Sequence, residues 1–346
     1  MVSKFTLKVA EIRKETEDSF TFCFKQPAFR KVKYRPGQYL TLVFRINGRR
    51  YIRPYSFSSA PEIDDTLNLT IKRMYGGVIS NHIIDKVRVG DLVEMFEPMG
   101  SFTLPDTNEI LDKRIVLWGS GSGITPLFSI AKYALNKEIA SHITLVYGNK
   151  SKETTIFFDE IEKIRSAFPE KFAVWHFYTR SAFDFSNPYV VEGRIAPKKV
   201  LEVLKVESDI KNTLHFICGP EGLKRSVKEA LSDLNIDQDK IFSEDFEVVK
   251  DPKDFEGIET RDVKLVVEGV ESIVEVVKGK SILEAGLDAM LELNYSCQTG
   301  DCMLCKGYLA KGDVKTIGVK KIELEQQHYL MCCSYPLTDN VCIEIK

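Results

Sequence analysis

The chain of 346 residues carries 48 Lys and Arg against 50 Asp and Glu, a formal net charge of -2, which points to neither nucleic acid nor an anionic membrane surface as a partner. Hydrophobic residues make up 44% and charged residues 28%, an ordinary balance for a soluble globular protein, and the length predicts two or three domains. No stretch approaches the roughly 20 apolar residues that span a bilayer, and the N-terminus lacks the apolar core of a signal peptide, so a cytoplasmic location is expected.

Short runs rich in Val, Ile, Leu, Phe and Thr at 5–12, 19–25, 39–46, 67–72 and 92–96 predict strands. Turn signals separate them at Arg35-Pro36-Gly37, Asn47-Gly48 and Val89-Gly90-Asp91. Many short strands with regular turns predict an antiparallel sandwich or small β-barrel over 1–106. The polar stretch 104–113 then reads as a linker. Beyond it the pattern changes to strands at 115–118, 143–147, 172–178 and 214–218, alternating with helices at 125–136, 158–168, 197–204 and 220–234. Such alternation predicts an α/β domain with a parallel sheet over 110–248.

Within that domain Gly119-Ser120-Gly121-Ser122-Gly123-Ile124-Thr125-Pro126 leaves the first strand and opens the first helix. This is the context of a phosphate-binding loop, with Gly119, Gly121, Gly123 and Thr125 as candidate contacts. Glycine-rich strand-to-helix turns also occur merely to make a turn. Residues 249–262 are charged and poor in apolar side chains and read as a second linker. Two alternating strands at 263–268 and 272–277 and a helix at 282–291 open a third, α+β domain over 263–346.

Cys23 and Cys218 stand alone, whereas Cys297, Cys302, Cys305, Cys332, Cys333 and Cys342 fall near the C-terminus. A disulfide framework is not expected in a cytoplasmic chain of this size. Cys297, Cys302 and Cys305 are spaced C-x4-C-x2-C, with a further cysteine at Cys332 or Cys333, the plant-type [2Fe–2S] pattern. Each iron needs two thiolates besides the bridging sulfides. A short irregular loop can wrap three cysteines around the cluster and aim N–H groups at their sulfurs, and the fourth must come from elsewhere. A zinc module would pair C-x2-C with a second such pair or with histidines; here no second pair exists and the nearest histidine is His328. Cys342, in the last apolar run, reads as core.

Arg53-Pro54-Tyr55-Ser56-Phe57-Ser58-Ser59 matches the R-x-Y-S motif of the ferredoxin–NADP reductase superfamily, and Gly37-Gln38-Tyr39 and Pro98-Met99-Gly100-Ser101-Phe102 match further landmarks. The resemblance implies a flavin site in which the Tyr55 ring lies against the isoalloxazine, Ser56 hydrogen-bonds near N5, Arg53 pairs with phosphate, and Phe57 and Ser58 complete the contact. Lys72-Arg73-Met74-Tyr75-Gly76-Gly77-Val78-Ile79-Ser80-Asn81 resembles the second phosphate-binding element, with Lys72, Gly76, Gly77, Val78 and Ser80 as contacts. Two phosphate elements favour FAD over FMN. Taken singly, the first motif could be a strand end and Gly76-Gly77 a hairpin turn.

Cys218-Gly219-Pro220 ends a later strand, as a similar sequence in the superfamily does near the nicotinamide, where Gly219 and Pro220 leave room for the ring. Cys218 is either a catalytic neighbour of that ring or a small residue filling a strand end. In Tyr178-Thr179-Arg180-Ser181, Arg180 and Ser181 stand where NADPH-using relatives carry a Ser/Arg pair for the 2′-phosphate, which favours NADPH over NADH, although a solvated loop arginine fits the same position. Residues 329–336 resemble the final cysteine motif of plant-type ferredoxins. That alignment selects Cys332 as the fourth ligand and puts Cys333 where Gln is usual.

Nearly the whole chain resembles the reductase components of bacterial multicomponent oxygenases: a flavin β-barrel, a nicotinamide α/β domain and a C-terminal β-grasp ferredoxin. The implied function is passage of electrons from NAD(P)H to FAD to the [2Fe–2S] cluster and on to an oxygenase component. Tyr55, Ser56 and Cys218 are the catalytic candidates, and Glu244 and Phe246 either resemble a segment near the flavin or simply end the last strand and start the linker. Two other functions remain open: a stand-alone NAD(P)H dehydrogenase reducing a quinone or soluble carrier, and a non-catalytic redox or iron sensor.

Overall fold

The structure, a computed structural model, describes residues 3–27, 31–106, 110–180, 187–247, 250–318 and 324–345. The first six strands are β1 (Lys4–Lys14), β2 (Ser19–Lys25), β3 (Tyr39–Ile46), β4 (Arg49–Ser56), β5 (Thr66–Lys72) and β6 (Leu92–Met99). They form an antiparallel sheet in the order β4-β3-β6-β1-β2-β5. A bridge between Phe57, just beyond β4, and Leu69 of β5 links the two edges, so the sheet curls toward a barrel. Phe22, Phe24, Leu67, Leu69 and Ile71 alternate inward and fill it. Strand β4 was not expected, because Arg49-Arg50-Tyr51-Ile52-Arg53-Pro54 has charge on both faces and a proline. It lies at the end of the strand order, where a proline costs no ladder bond. A helix, α1 (Val78–Lys86), starts directly after Gly77.

The second sheet is wholly parallel, with β7 (Lys113–Ser120), β8 (Ala140–Asn149), β9 (Phe172–Tyr178), β10 (Val190–Glu192), β11 (Leu214–Cys218) and β12 (Ile241–Glu244) in the order β10-β9-β8-β7-β11-β12. In β7, Ile115 and Leu117 enter one buried cluster while Val116 and Trp118 enter another. Both faces are therefore apolar, as a sheet covered by helices on both sides requires. The helices are α2 (Ile124–Asn136), α3 (Phe158–Ala167), α4 (Pro197–Leu204) and α5 (Glu221–Asp233). The strand order reverses between β7 and β11, and ligands of such sheets bind at the carboxyl ends beside this switch point.

The C-terminal strands are β13 (Arg261–Val267), β14 (Val270–Val276), β15 (Lys306–Lys311), β16 (Val314–Thr316), β17 (His328–Leu330), β18 (Ser334–Pro336) and β19 (Cys342–Ile345). The larger sheet runs β14-β13-β19-β15-β17 and is mixed: β13 and β19 are parallel, the other pairs antiparallel. Helix α6 (Ile282–Asp288) opens on a reciprocal capping box between Ser281 and Glu284. Residues 250–260, expected as a linker, form a packed strap. Asp251 caps the short turn Pro252–Phe255, and Phe255 and Ile258 bury themselves with Ile317 and Tyr335.

Two compact units emerge, one of 3–42 and 55–244 and the other of 43–54 with 245–346. In the second, the turn between β3 and β4 keeps company with the C-terminal segment: Arg45 pairs with Glu292 at 2.7 Å, Arg49 with Asp288 at 3.0 Å, and Ile52 N donates to Tyr295 Oη at 3.1 Å. Among the described residues, no helix is long and apolar enough to cross a membrane.

Candidate functional site

The loop that follows β7 makes one tight turn, Gly121–Gly123, before α2 begins. Gly121 has φ +54°, and a Cβ there would meet nothing within 4 Å, so backbone conformation rather than crowding asks for glycine. Gly123 is held by crowding, since its Cβ would stand 2.1 Å from Cys218 O. The loop after β7 and the end of β11 therefore touch across the switch point. Beneath them Tyr147, fully buried on β8, donates its hydroxyl to Gly121 O at 2.9 Å. Thr125 Oγ1 donates to Ser122 O at 3.0 Å. Thr125 thus shapes the loop with its side chain. Helix α2 has no side-chain cap, which leaves its N-terminus suited to phosphate oxygens.

Three buried groups converge beside this loop. Cys218 ends β11 and is paired in register with Glu244, the last residue of β12. Ser56 Oγ donates to Glu244 Oε2 at 3.4 Å. Cys218, Ser56 and Glu244 are 1%, 5% and 8% exposed. Burial pushes the Cys218 thiol well up, and the Glu244 charge adds to it. The thiol is therefore neutral at physiological pH, a small polarisable wall rather than a nucleophile. Sequence reasoning singled out Ser56 and Cys218 but left Glu244 open as a strand end. Only the register of the last parallel pair brings its carboxylate to the other two.

The flavin candidates divide. Tyr55 is half-buried at the end of β4. Phe57 is fully buried and stacks on Tyr34 with centroids 3.9 Å apart, while its N–H donates to Gln38 O. Ser58 Oγ donates to Asn68 O at 3.2 Å and shares a 2.8 Å bond with Thr70 Oγ1. The Phe57 side chain thus lies on the face of Phe22 and Leu69, and that of Ser58 on the opposite, also buried, face with Thr21 and Thr70. Arg53 Nη1 donates to Ile52 O at 2.8 Å.

At the second phosphate element, Gly76 has φ +69° with open space where a Cβ would go. Gly77 is the N-cap of α1 and offers no side-chain cap. Ser80 Oγ accepts from Met74 N at 3.1 Å, and Asn81 Nδ2 donates to Met74 O and Gly77 O. Val78, the first residue of α1, is half-exposed. A rigid glycine turn leading into an uncapped helix N-terminus fits a pyrophosphate. Lys72 is engaged with Asp18 at 3.3 Å. Arg180, just past β9, has an exposed side chain and ties its N–H to Lys150 O at 2.8 Å. Ser181 lies outside the described residues. Gly219 and Pro220 follow Cys218, with Pro220 as the N-cap of α5.

In the cysteine loop, Gln298, Gly300 and Met303 take positive φ, which coils the chain tightly. The backbone N–H groups of Thr299, Asp301 and Cys302 all point at Cys297 Sγ, at 3.4, 3.4 and 3.3 Å. The Cys302 thiol donates to Cys297, and this bond and the N–H groups of Thr299 and Asp301 pull the Cys297 thiol down from its usual range. Cys305 is pushed up by the bond it makes to Cys332 and by burial. Cys297, Cys302, Cys305 and Cys332 thus act on one another's thiols as one group. Two irons, each needing two thiolates, fit that donor set. Among the described residues no group of three or more His, Cys, Asp or Glu is arranged for a single metal ion.

Three family profiles match in succession: the oxidoreductase FAD-binding domain over residues 6–104, the oxidoreductase NAD-binding domain over 117–229 and the 2Fe-2S iron-sulfur cluster binding domain over 265–337. The ferredoxin reductase component of 3-ketosteroid-9-alpha-monooxygenase from Mycobacterium tuberculosis is 31% identical over 97% of this chain and 94% of its own. A component of 1,2-phenylacetyl-CoA epoxidase from Escherichia coli is 27% identical over 99% of this chain and 98% of its own. Phthalate dioxygenase reductase shares the fold with a TM-score of 0.67 at 22% identity, covering 99% of this chain and 98% of that one.

Proposed function

The chain belongs to the family of oxygenase reductases that join FAD-binding, NAD-binding and [2Fe–2S] domains, and from that premise we propose which of its residues carry the reaction and which oxygenase it serves. Electrons pass from NAD(P)H to FAD to the [2Fe–2S] cluster and on to an oxygenase component. When bound, FAD accepts a hydride and the cluster hands on single electrons, chemistry that belongs to the cofactors.

The observation that carries the assignment is the meeting of the loop after β7, Cys218 and the Ser56–Glu244 pair at the carboxyl end of the parallel sheet. Gly119, Gly121 and Gly123 let the backbone approach the dinucleotide phosphates, and α2 turns its N-terminus to them. Gly219 and Pro220 keep the space beside Cys218 clear for the nicotinamide. Tyr55 covers the flavin ring, and Ser56, held by Glu244, offers its hydroxyl at the position where hydride arrives. Arg53, Gly76, Gly77, Val78 and Ser80 hold the FAD phosphates. Arg180 selects NADPH. Cys297, Cys302, Cys305 and Cys332 ligate the irons.

For the acceptor, the motif pattern supports a phenylacetyl-CoA epoxidase and a place in phenylacetate breakdown, in keeping with the likeness to the Escherichia coli epoxidase component along almost its whole length. A 3-ketosteroid monooxygenase is the second reading, favoured by the higher identity of its reductase component. Reconstitution decides between them. NADPH oxidation by the purified protein is measured with each oxygenase component and its substrate, and the true partner gives product-coupled turnover. Turnover indifferent to both, with rapid reduction of a soluble quinone, would instead describe a stand-alone dehydrogenase.

A further inference from the structure

Four thiols serve the cluster, and a fifth stands against one of them. Cys333 ends the short turn Met331–Cys333, is 1% exposed, and its Sγ lies 3.6 Å from Cys332 Sγ. Between two free thiols either sulfur could donate. Iron binding removes the choice, because a ligating cysteine is a thiolate and only accepts. The proton between the two sulfurs must then sit on Cys333. Neighbouring backbone fixes the turn: Ile317 N donates to Cys333 O at 2.9 Å and Ser334 Oγ to Leu330 O at 2.9 Å. Burial keeps water from competing for the S–H.

We propose that Cys333 is a positioning residue for electron transfer, its S–H donating to the Cys332 sulfur and raising the reduction potential of the cluster. The inference rests on the reading of Cys332 as the fourth ligand. One-electron reduction adds negative charge that the cluster sulfurs share. A donor aimed at one of them stabilises the reduced form more than the oxidised form. In the cysteine loop, Cys297 receives three backbone N–H groups; at Cys332 a side-chain thiol takes the corresponding part.

The test is an anaerobic redox titration of the full-length holoprotein, followed by the electron-paramagnetic-resonance signal of the reduced cluster, with iron content measured alongside. Wild type is compared with Cys333→Ala, Cys333→Val and Cys333→Ser. The first two remove the donor, with different volumes, and should shift the reduced-to-oxidised ratio at a fixed potential roughly tenfold toward oxidised, about 59 mV for one electron. Cys333→Ser keeps a donor and should recover most of that shift. Potentials equal to wild type in an iron-replete Ala or Val variant would overturn the proposal while leaving Cys332 as ligand. Loss of iron in all three variants overturns it too. If Cys332→Ser then retains the cluster, Cys333 is itself the ligand and the underlying reading falls.

Discussion

Ser56 donates its hydroxyl to a buried carboxylate, Glu244, that comes from the last strand of the parallel sheet. A hydroxyl bonded to a charged group is fixed more firmly than one bonded to a neutral group, and such bonds contribute about 1.5–3 kcal/mol. Ser56→Ala is therefore expected to slow flavin reduction by NADPH roughly 10- to 100-fold, with FAD content unchanged; an unaltered rate in stopped-flow reduction would remove Ser56 from the reaction. Arg180 carries a separate expectation. Its exposed guanidinium has solvent for competition, so Arg180→Ala should raise the KM for NADPH about tenfold, in line with the loss of one charge-assisted contact, and leave that for NADH nearly constant. An unchanged NADPH/NADH ratio would assign the 2′-phosphate to other residues. At this scale the sequence was legible in motif but not in direction. Arg53-Pro54-Tyr55-Ser56-Phe57-Ser58 marks the region, yet the motif does not say that Phe57 takes the face of Leu69 and Ser58 the opposite face, with Thr70.

Strands β7 and β11 flank the switch point, and their pairing contains a buried polar contact with a consequence for stability. Trp118 Nε1 donates to His215 Nδ1 at 3.3 Å. The single proton of the neutral ring must then occupy Nε2, and a second would have to enter Nδ1 against the Trp118 N–H. Burial holds the His215 imidazole down to about 3. The unfolded chain takes up this proton near pH 6.5, so between pH 6.5 and 3 the unfolded state binds more protons than the native one. Stability contributed by neutral His215 is complete above pH 6.5 and falls as the pH drops through that window, by at most about 1.4 kcal/mol per pH unit. His215→Phe should flatten the acid limb of a urea-denaturation series followed by tryptophan fluorescence; an acid limb of unchanged slope would place the sensitivity elsewhere. The central strands were legible because both of their faces are apolar. β4 and α1 were not, since β4 is charged and sits at the end of its sheet, and α1 follows a glycine pair that reads equally well as a turn.

Across the whole molecule, composition shifts show where one kind of structure gives way to another, but not which segments form a unit. The turn between β3 and β4 groups with the C-terminal segment through Arg49 and Asp288, 239 positions apart. The strap at 250–260 looks like a linker because its few apolar residues, Phe255 and Ile258, are isolated in sequence. The iron–sulfur domain, by contrast, was legible from cysteine spacing, since Cys297, Cys302 and Cys305 fall within nine consecutive residues whose backbone also supplies N–H groups to Cys297. The order of transfer along the chain makes a test of the whole. Cys305 is buried and belongs to none of the segments proposed to hold FAD or the nicotinamide, so Cys305→Ser, if Cys305 is a ligand, leaves one iron short of a thiolate. Flavin reduction by NADPH should then proceed at close to the wild-type rate, and a quinone that takes both electrons from the flavin should still be reduced. Turnover of the oxygenase component, which depends on single electrons leaving through the cluster, should fall at least 100-fold, an order-of-magnitude figure for losing a cofactor that only its ligands can hold. Oxygenase turnover that survives in an iron-depleted variant would mean that electrons leave directly from the flavin, and the linear order from nicotinamide to flavin to cluster would have to be abandoned.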